Sequence, residues 1–121
     1  YALADTSRDI VEAYEYDPYG RHTRVSDGPD QDSMVNFSAD DAREEAGLNA
    51  GASLLANPYL FTGRNYDPET GLQWNRMRYY DSAQGRFVGR DPTGYSGGIH
   101  LLNYCNSTPI TYTDPLGLTT V

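Results

Sequence analysis

Two short stretches could carry chemistry: Asp91-Pro92-Thr93-Gly94 and Asp114-Pro115-Leu116-Gly117, copies of one Asp-Pro-x-Gly motif. Two carboxylates close enough to share one proton can hydrolyse a peptide bond. Like charge raises one pKa, which leaves an acid and a base present at the same pH. The base activates a water, and the acid protonates the carbonyl oxygen or the leaving amine. Pro and Gly beside each Asp would fix the loops that present them. Taken locally, the motif reads first as a turn. It recurs at Asp17-Pro18-Tyr19-Gly20, where no catalytic role is expected.

The remaining reactive residues form no recognisable constellation. His22 and His100 lack metal-ligand spacing and read as surface or satisfied histidines. Cys105 follows His100 closely, but no nucleophile elbow or third orienting group accompanies it. It reads as a small buried apolar group. Asp27, Asp30 and Asp32 suggest calcium, yet the Gly and Glu positions of an EF-hand loop are missing. Gly94, Gly97 and Gly98 are not followed by the Lys of a phosphate-binding loop. No metal and no cofactor is expected. Trp74, Tyr79, Tyr80, Tyr95 and Tyr104 could stack on sugars, but Tyr-rich strands need no ligand and core packing is the favoured reading.

Composition narrows the partners. The 121 residues carry a formal net charge of −8, so nucleic acid and anionic membrane surfaces are disfavoured. No apolar run approaches the roughly 20 residues that span a bilayer. A single Cys rules out an intrachain disulfide framework. The missing initiator Met is what a piece of a longer product would show. Tyr supplies 11 residues against three Phe and one Trp, which suits pleated, half-buried surfaces. Twelve Gly and seven Pro predict short strands and tight turns.

These features predict a mainly β fold of short antiparallel hairpins, with one short helix in an insertion. Residues 9–16 and 21–25 form a hairpin about the 17–20 turn. Residues 26–36 are an acidic loop. Ser38 to Ala46 reads as a helix, with Ser38 as N-cap and Gly47 at the C-cap. Tyr59 to Thr62 reads as a strand. Leu72 to Tyr80 reads as one alternating strand with a bulge near Met77. Residues 86–88, 101–104 and 110–113 are the last strand candidates.

A Tyr-Asp step recurs at Tyr16-Asp17, Tyr66-Asp67 and Tyr80-Asp81, trailed by Gly20, Gly71 and Gly85. Tyr ends a strand, Asp opens the turn by bonding nearby backbone N–H groups, and Gly supplies a permissive φ. Such a unit cannot bury its sheet face alone, so neighbours must stack. Residues 57–118 resemble the RHS repeat-associated core of YD-repeat proteins. The resemblance rests on Phe61-Thr62-Gly63-Arg64, Tyr66-Asp67-Pro68-Glu69-Thr70-Gly71-Leu72, Arg78-Tyr79-Tyr80-Asp81, Gly85-Arg86-Phe87, Asp91-Pro92 and Asp114-Pro115-Leu116-Gly117-Leu118.

The resemblance implies four segments: a YD-repeat hairpin at 1–25, a variable acidic insertion at 26–56, the core at 57–118 and a tail at 119–121. It implies a plug that closes one end of a repeat-built capsule, secreted or at the cell surface of a bacterium. Its partners would be upstream YD repeats or other copies of itself, with a C-terminal toxin as cargo. It implies an aspartic-type pair, Asp91 and Asp114, tuned by Arg90, that cuts once between Leu118 and Thr119. The alternative is a non-catalytic scaffold, fibre-forming or adhesive, that associates through exposed strand edges.

Overall fold

A computed structural model describes residues 2–4, 6, 10–26, 42–45, 57–118 and 120–121. The fold is mainly β, with two four-stranded antiparallel meanders. The first holds β1 (Ala2–Ala4), β2 (Ile10–Tyr16), β3 (His22–Ser26) and β4 (Ala42–Glu45) in that order. The second holds β5 (Asn65–Asp67), β6 (Leu72–Asn75), β7 (Arg78–Asp81) and β8 (Arg86–Phe87). Among the described residues the helical turns are short 3-10 segments at Phe61–Gly63, Gly94–Gly97 and Cys105–Ser107.

Three hairpins turn by one device. The Asp17 carboxylate accepts the N–H groups of Tyr19 (2.8 Å) and Arg21 (2.9 Å), and Gly20 closes the turn at φ +83°. Asp67 accepts the Glu69 N–H and the Thr70 hydroxyl before Gly71. Asp81 accepts the N–H groups of Ala83 and Gln84 before Gly85. In each case a short polar side chain satisfies backbone donors that no ladder reaches.

Several local expectations are corrected. Ala42–Glu45, expected as part of a helix, is a strand paired antiparallel with β3. A nine-residue helix is marginal in isolation, whereas a free sheet edge offers a row of unpaired backbone groups. The rest of that expected helix lies outside the described residues. Leu72 to Tyr80 is two strands instead of one bulged strand. Arg76 and Met77 form the turn, with Arg76 at φ +62° and the Met77 N–H on the Asn75 carbonyl. Tyr59 makes only an isolated bridge to Asn65, and Phe61–Gly63 is a 3-10 turn. Residues 101–104 contribute one bridge, Arg86 to Asn103, and 110–113 form a turn and an extended end in place of a strand.

The core is aromatic. Tyr80, Phe87 and Tyr104 pack in a triangle with centroids 4.3 to 5.7 Å apart, beside Cys105. Burial pushes the Cys105 thiol up to about 11, although a hydrogen bond with Tyr104 works the other way. It is therefore a neutral core group. Tyr14, Leu60 and Tyr66 form a second cluster that joins the two meanders. Tyr80 also donates its hydroxyl to the Tyr19 carbonyl at 2.6 Å, which ties the second sheet to the first hairpin turn. Of the aromatic stripe, Tyr80 and Tyr104 are core, whereas Trp74, Tyr79 and Tyr95 are exposed.

Candidate functional site

The β6–β7 hairpin is the platform. Strand alternation turns Gln73 and Asn75 of β6, with Arg78 and Tyr80 of β7, to the buried side. The chain from Asp114 to Leu118 wraps over this hairpin. The Asn75 amide donates to the Asp114 carbonyl at 3.0 Å, and Gln73 orients Asn75 at 2.9 Å. Met77 N–H reaches the Leu116 carbonyl at 3.2 Å. Gly117 lies so close that a Cβ there would stand 2.7 Å from the Asn75 carbonyl oxygen, and its φ is +69°.

Arg78 is the hub. Its Nε donates to the Gly117 carbonyl, one terminal nitrogen donates to the Leu101 carbonyl at 3.0 Å, and the other stands 3.0 Å from Asp91 Oδ2 and 3.6 Å from Asp114 Oδ2. Its face lies over the Phe87 ring at 3.8 Å. A buried guanidinium needs every donor met, and its rigid fork suits several acceptors at once. Burial lowers the Arg78 pKa, and Asp91 and Asp114 oppose that shift. Burial raises Asp91, but the Thr93 hydroxyl and N–H together with Arg78 more than cancel this and hold its carboxyl below the ordinary value. Thr93 supplies those bonds at 2.6 and 2.8 Å.

Leu118 enters this site from one side. Leu118 N–H donates to Asp114 Oδ1 at 3.0 Å. The Leu118 carbonyl oxygen and Asp91 Oδ2 both crowd Gly97, where an added Cβ would meet them at 3.3 and 3.1 Å. A cavity of about 20 Å³ lies between Arg78, Asp91, His100, Asn106, Asp114 and Leu118. That is room for roughly one water. The arrangement therefore holds a carboxylate, a water-sized space, a guanidinium and a peptide carbonyl together. Thr119 itself lies outside the described residues.

The expected site residues divide accordingly. Asp91, Asp114 and Leu118 come together. Arg90 is exposed and does not line the cavity. The guanidinium that meets both carboxylates is Arg78. A signal for it existed: Arg78 is two residues before Tyr80 on one strand, so a buried Tyr80 implies an inward Arg78. His22, in β3, is buried against Tyr66, whereas His100 lines the cavity. Among the described residues, no group of three or more His, Cys, Asp or Glu could hold a metal ion. Cys105, Asn106 and Ser107 all have positive φ, from 49° to 61°, and this strained run places Asn106 at the cavity.

Asp-led hairpins in series carry a terminal Asp-Pro-Leu-Gly-Leu segment wrapped on one of them. The chain belongs to the RHS repeat-associated proteins, as its relatives among Rhs and toxin proteins show. No family model matches it. It is 34% identical over 120 residues to the double-stranded DNA deaminase toxin A of Burkholderia cenocepacia (strain H111), covering 96% of this chain and 8% of that protein. It is 41% identical over 63 residues to the toxin protein Tse5 of Pseudomonas aeruginosa, covering 52% of this chain and 5% of that one. It is 48% identical over 64 residues to the putative uncharacterized protein YlbH of Escherichia coli (strain K12), covering 53% and 27%. The chain thus spans a small part of each relative. The crystal structure of TcdB2-TccC3-Cdc42 matches with a TM-score of 0.67 at 23% identity, over 98% of this chain and 4% of that one. That likeness is one of fold.

Proposed function

We propose that this segment is the closing plug of an RHS/YD-repeat shell and cuts its own chain once, between Leu118 and Thr119. One observation carries the reading: Asp114 holds the Leu118 N–H, Arg78 holds the Gly117 carbonyl, and the Leu118 carbonyl oxygen and Asp91 Oδ2 both border Gly97. Asp91, kept ionised, takes a proton from the cavity water, whose oxygen attacks the Leu118 carbonyl carbon. Arg78 offsets the like-charge repulsion of the two carboxylates and keeps Asp91 ionised, able to accept a proton. The proton passes to the Thr119 nitrogen as the C–N bond breaks, leaving a Leu118 carboxylate and a free Thr119 amine. The tethered bond supplies the high effective concentration of an intramolecular reaction.

The remaining assignments follow the same reading. Residues 1–25 are a repeat hairpin, 26–56 an insertion, 57–118 the core and 119–121 the start of the released side. The partners are upstream repeats of the same polypeptide, and the cargo is a downstream toxin, as the names of two relatives suggest. A secreted or cell-surface location fits that role. Among the described residues no helix is long and apolar enough to cross a membrane.

Mass spectrometry of the expressed chain tests the cut. Loss of Thr119–Val121 is expected, and Asp91→Asn or Asp114→Asn abolishes it. A chain that keeps its tail, or variants that still lose it, sinks the reading.

A further inference from the structure

Beyond the cut site the chain is held a second time. Thr113 N–H donates to the Val121 main-chain oxygen at 3.0 Å, and Val121 N–H donates back to the Thr113 carbonyl at 2.8 Å. This reciprocal pair is the hydrogen-bonded unit of an antiparallel ladder. It brackets a closed loop that contains Asp114, Leu118 and the proposed scissile bond. Inside it, Leu118 N–H on Asp114 Oδ1 closes a smaller loop. The bond to be cut is therefore anchored on both sides, by Asp114 and Arg78 upstream and by Thr113 downstream.

The two anchors differ in kind. Upstream, Gly117 fits only without a Cβ, the Arg78 side chain holds its carbonyl, and the Asn75 amide holds the carbonyl of Asp114. Downstream, the grip is backbone to backbone, and the Val121 side chain is 74% exposed. Main-chain bonds give affinity without reading side chains.

We propose that Thr113 and Val121 form a downstream substrate subsite, a backbone clamp that does not read the side chain at position 121 and excludes only proline there. This rests on the self-cleavage reading and adds one requirement to it, a backbone N–H at position 121. Proline alone among residues has no N–H to give the Thr113 carbonyl.

The test is a cleavage time course of the full chain made by cell-free translation, read by mass as loss of Thr119–Val121. Val121→Pro is compared with Val121→Lys and Val121→Asp. Val121 is exposed and outside both sheets, so none of the three threatens folding. Loss of one backbone hydrogen bond corresponds to a roughly two- to tenfold slower cut for Val121→Pro than for either other variant. The Lys and Asp variants, opposite in charge, should agree within about twofold, since a grip that ignores side chains leaves less than one hydrogen bond's difference between them. A Val121→Pro rate equal to either, or a wider gap between Lys and Asp, overturns the clamp while leaving self-cleavage standing. An unaltered chain that never cuts overturns both.

Discussion

Arg78 donates its Nε–H to the carbonyl oxygen of Gly117, the residue before Leu118, across a sequence separation of 39. The same side chain meets Asp91 and Asp114, so one guanidinium joins the Asp91 loop and the Asp114–Leu118 segment to the β6–β7 hairpin. Removing it leaves two buried carboxylates uncompensated. Arg78→Met should cost about 3 kcal/mol of stability, measured by urea titration, since breaking a buried ion pair from one side costs on that order. Arg78→Lys keeps the charge but not the fork. It should retain most of the stability while cleaving at least about tenfold more slowly, because a point charge cannot serve the three acceptors in the required directions. Equal cleavage by Arg78→Lys would remove Arg78 from the mechanism.

Asp91 gives the pH dependence. Its folded pKa lies below the ordinary carboxylate value. Its contribution is therefore fully present above the unfolded pKa of about 3.9 and is lost as pH falls through the lower folded value. The urea midpoint of the chain should fall more steeply below about pH 4 than that of Asp91→Asn, and the two should run parallel above about pH 5. Parallel curves through the acid range would show that Asp91 has no special stability when ionised.

The parts of the fold that were readable in the chain are those made by neighbours. Asp17, Asp67 and Asp81 each bond groups within four residues, so hairpins and a mainly β class follow from local chemistry. What was not readable depends on distant partners. Ala42–Glu45 has a helical composition and becomes a strand only because the β3 edge is there to pair with. Thr62 and Arg76 turn the chain at φ +54° and +62° with no glycine to mark the place. At the site, the Asp-Pro-x-Gly repeats marked both carboxylates, but Arg78 was hidden among surface-looking arginines. Its role comes from Gly117, Leu101, Asp91 and Asp114, none of them on its own hairpin.

Gly97 separates folding from cleavage. Its φ is not in the left-handed region, so alanine costs little backbone strain there. The added methyl would press on Asp91 Oδ2 at 3.1 Å and on the Leu118 carbonyl oxygen at 3.3 Å. Gly97→Ala should change stability by less than about 1 kcal/mol, as overpacking at a part-exposed site does at the low end of its range. Cleavage should slow by about tenfold or more, because small displacements of reacting atoms are costly. A normal rate would mean that Asp91 and the Leu118 carbonyl do not need their present spacing.

Gly20 shows how one hairpin seats on the next. It stands under the Phe61 ring so closely that a Cβ would overlap the ring Cδ1, and its φ is +83°. Tyr19, beside it, covers Gly85 of another Asp-led turn in the same manner, at 2.8 Å from a Cβ there. The turn glycines thus serve twice, once for their φ and once as flat seats for an aromatic ring. Gly20→Ala should cost about 2–4 kcal/mol, the sum of left-handed strain and a ring displaced from its seat. The two parts can be separated by a double-mutant cycle with Phe61→Ala. With the ring gone, only the strain of about 1–2 kcal/mol should remain, giving a coupling of about 1 kcal/mol or more in urea titrations. Strict additivity would mean that Gly20 is needed for its turn alone and that the ring's position over it contributes nothing to stacking.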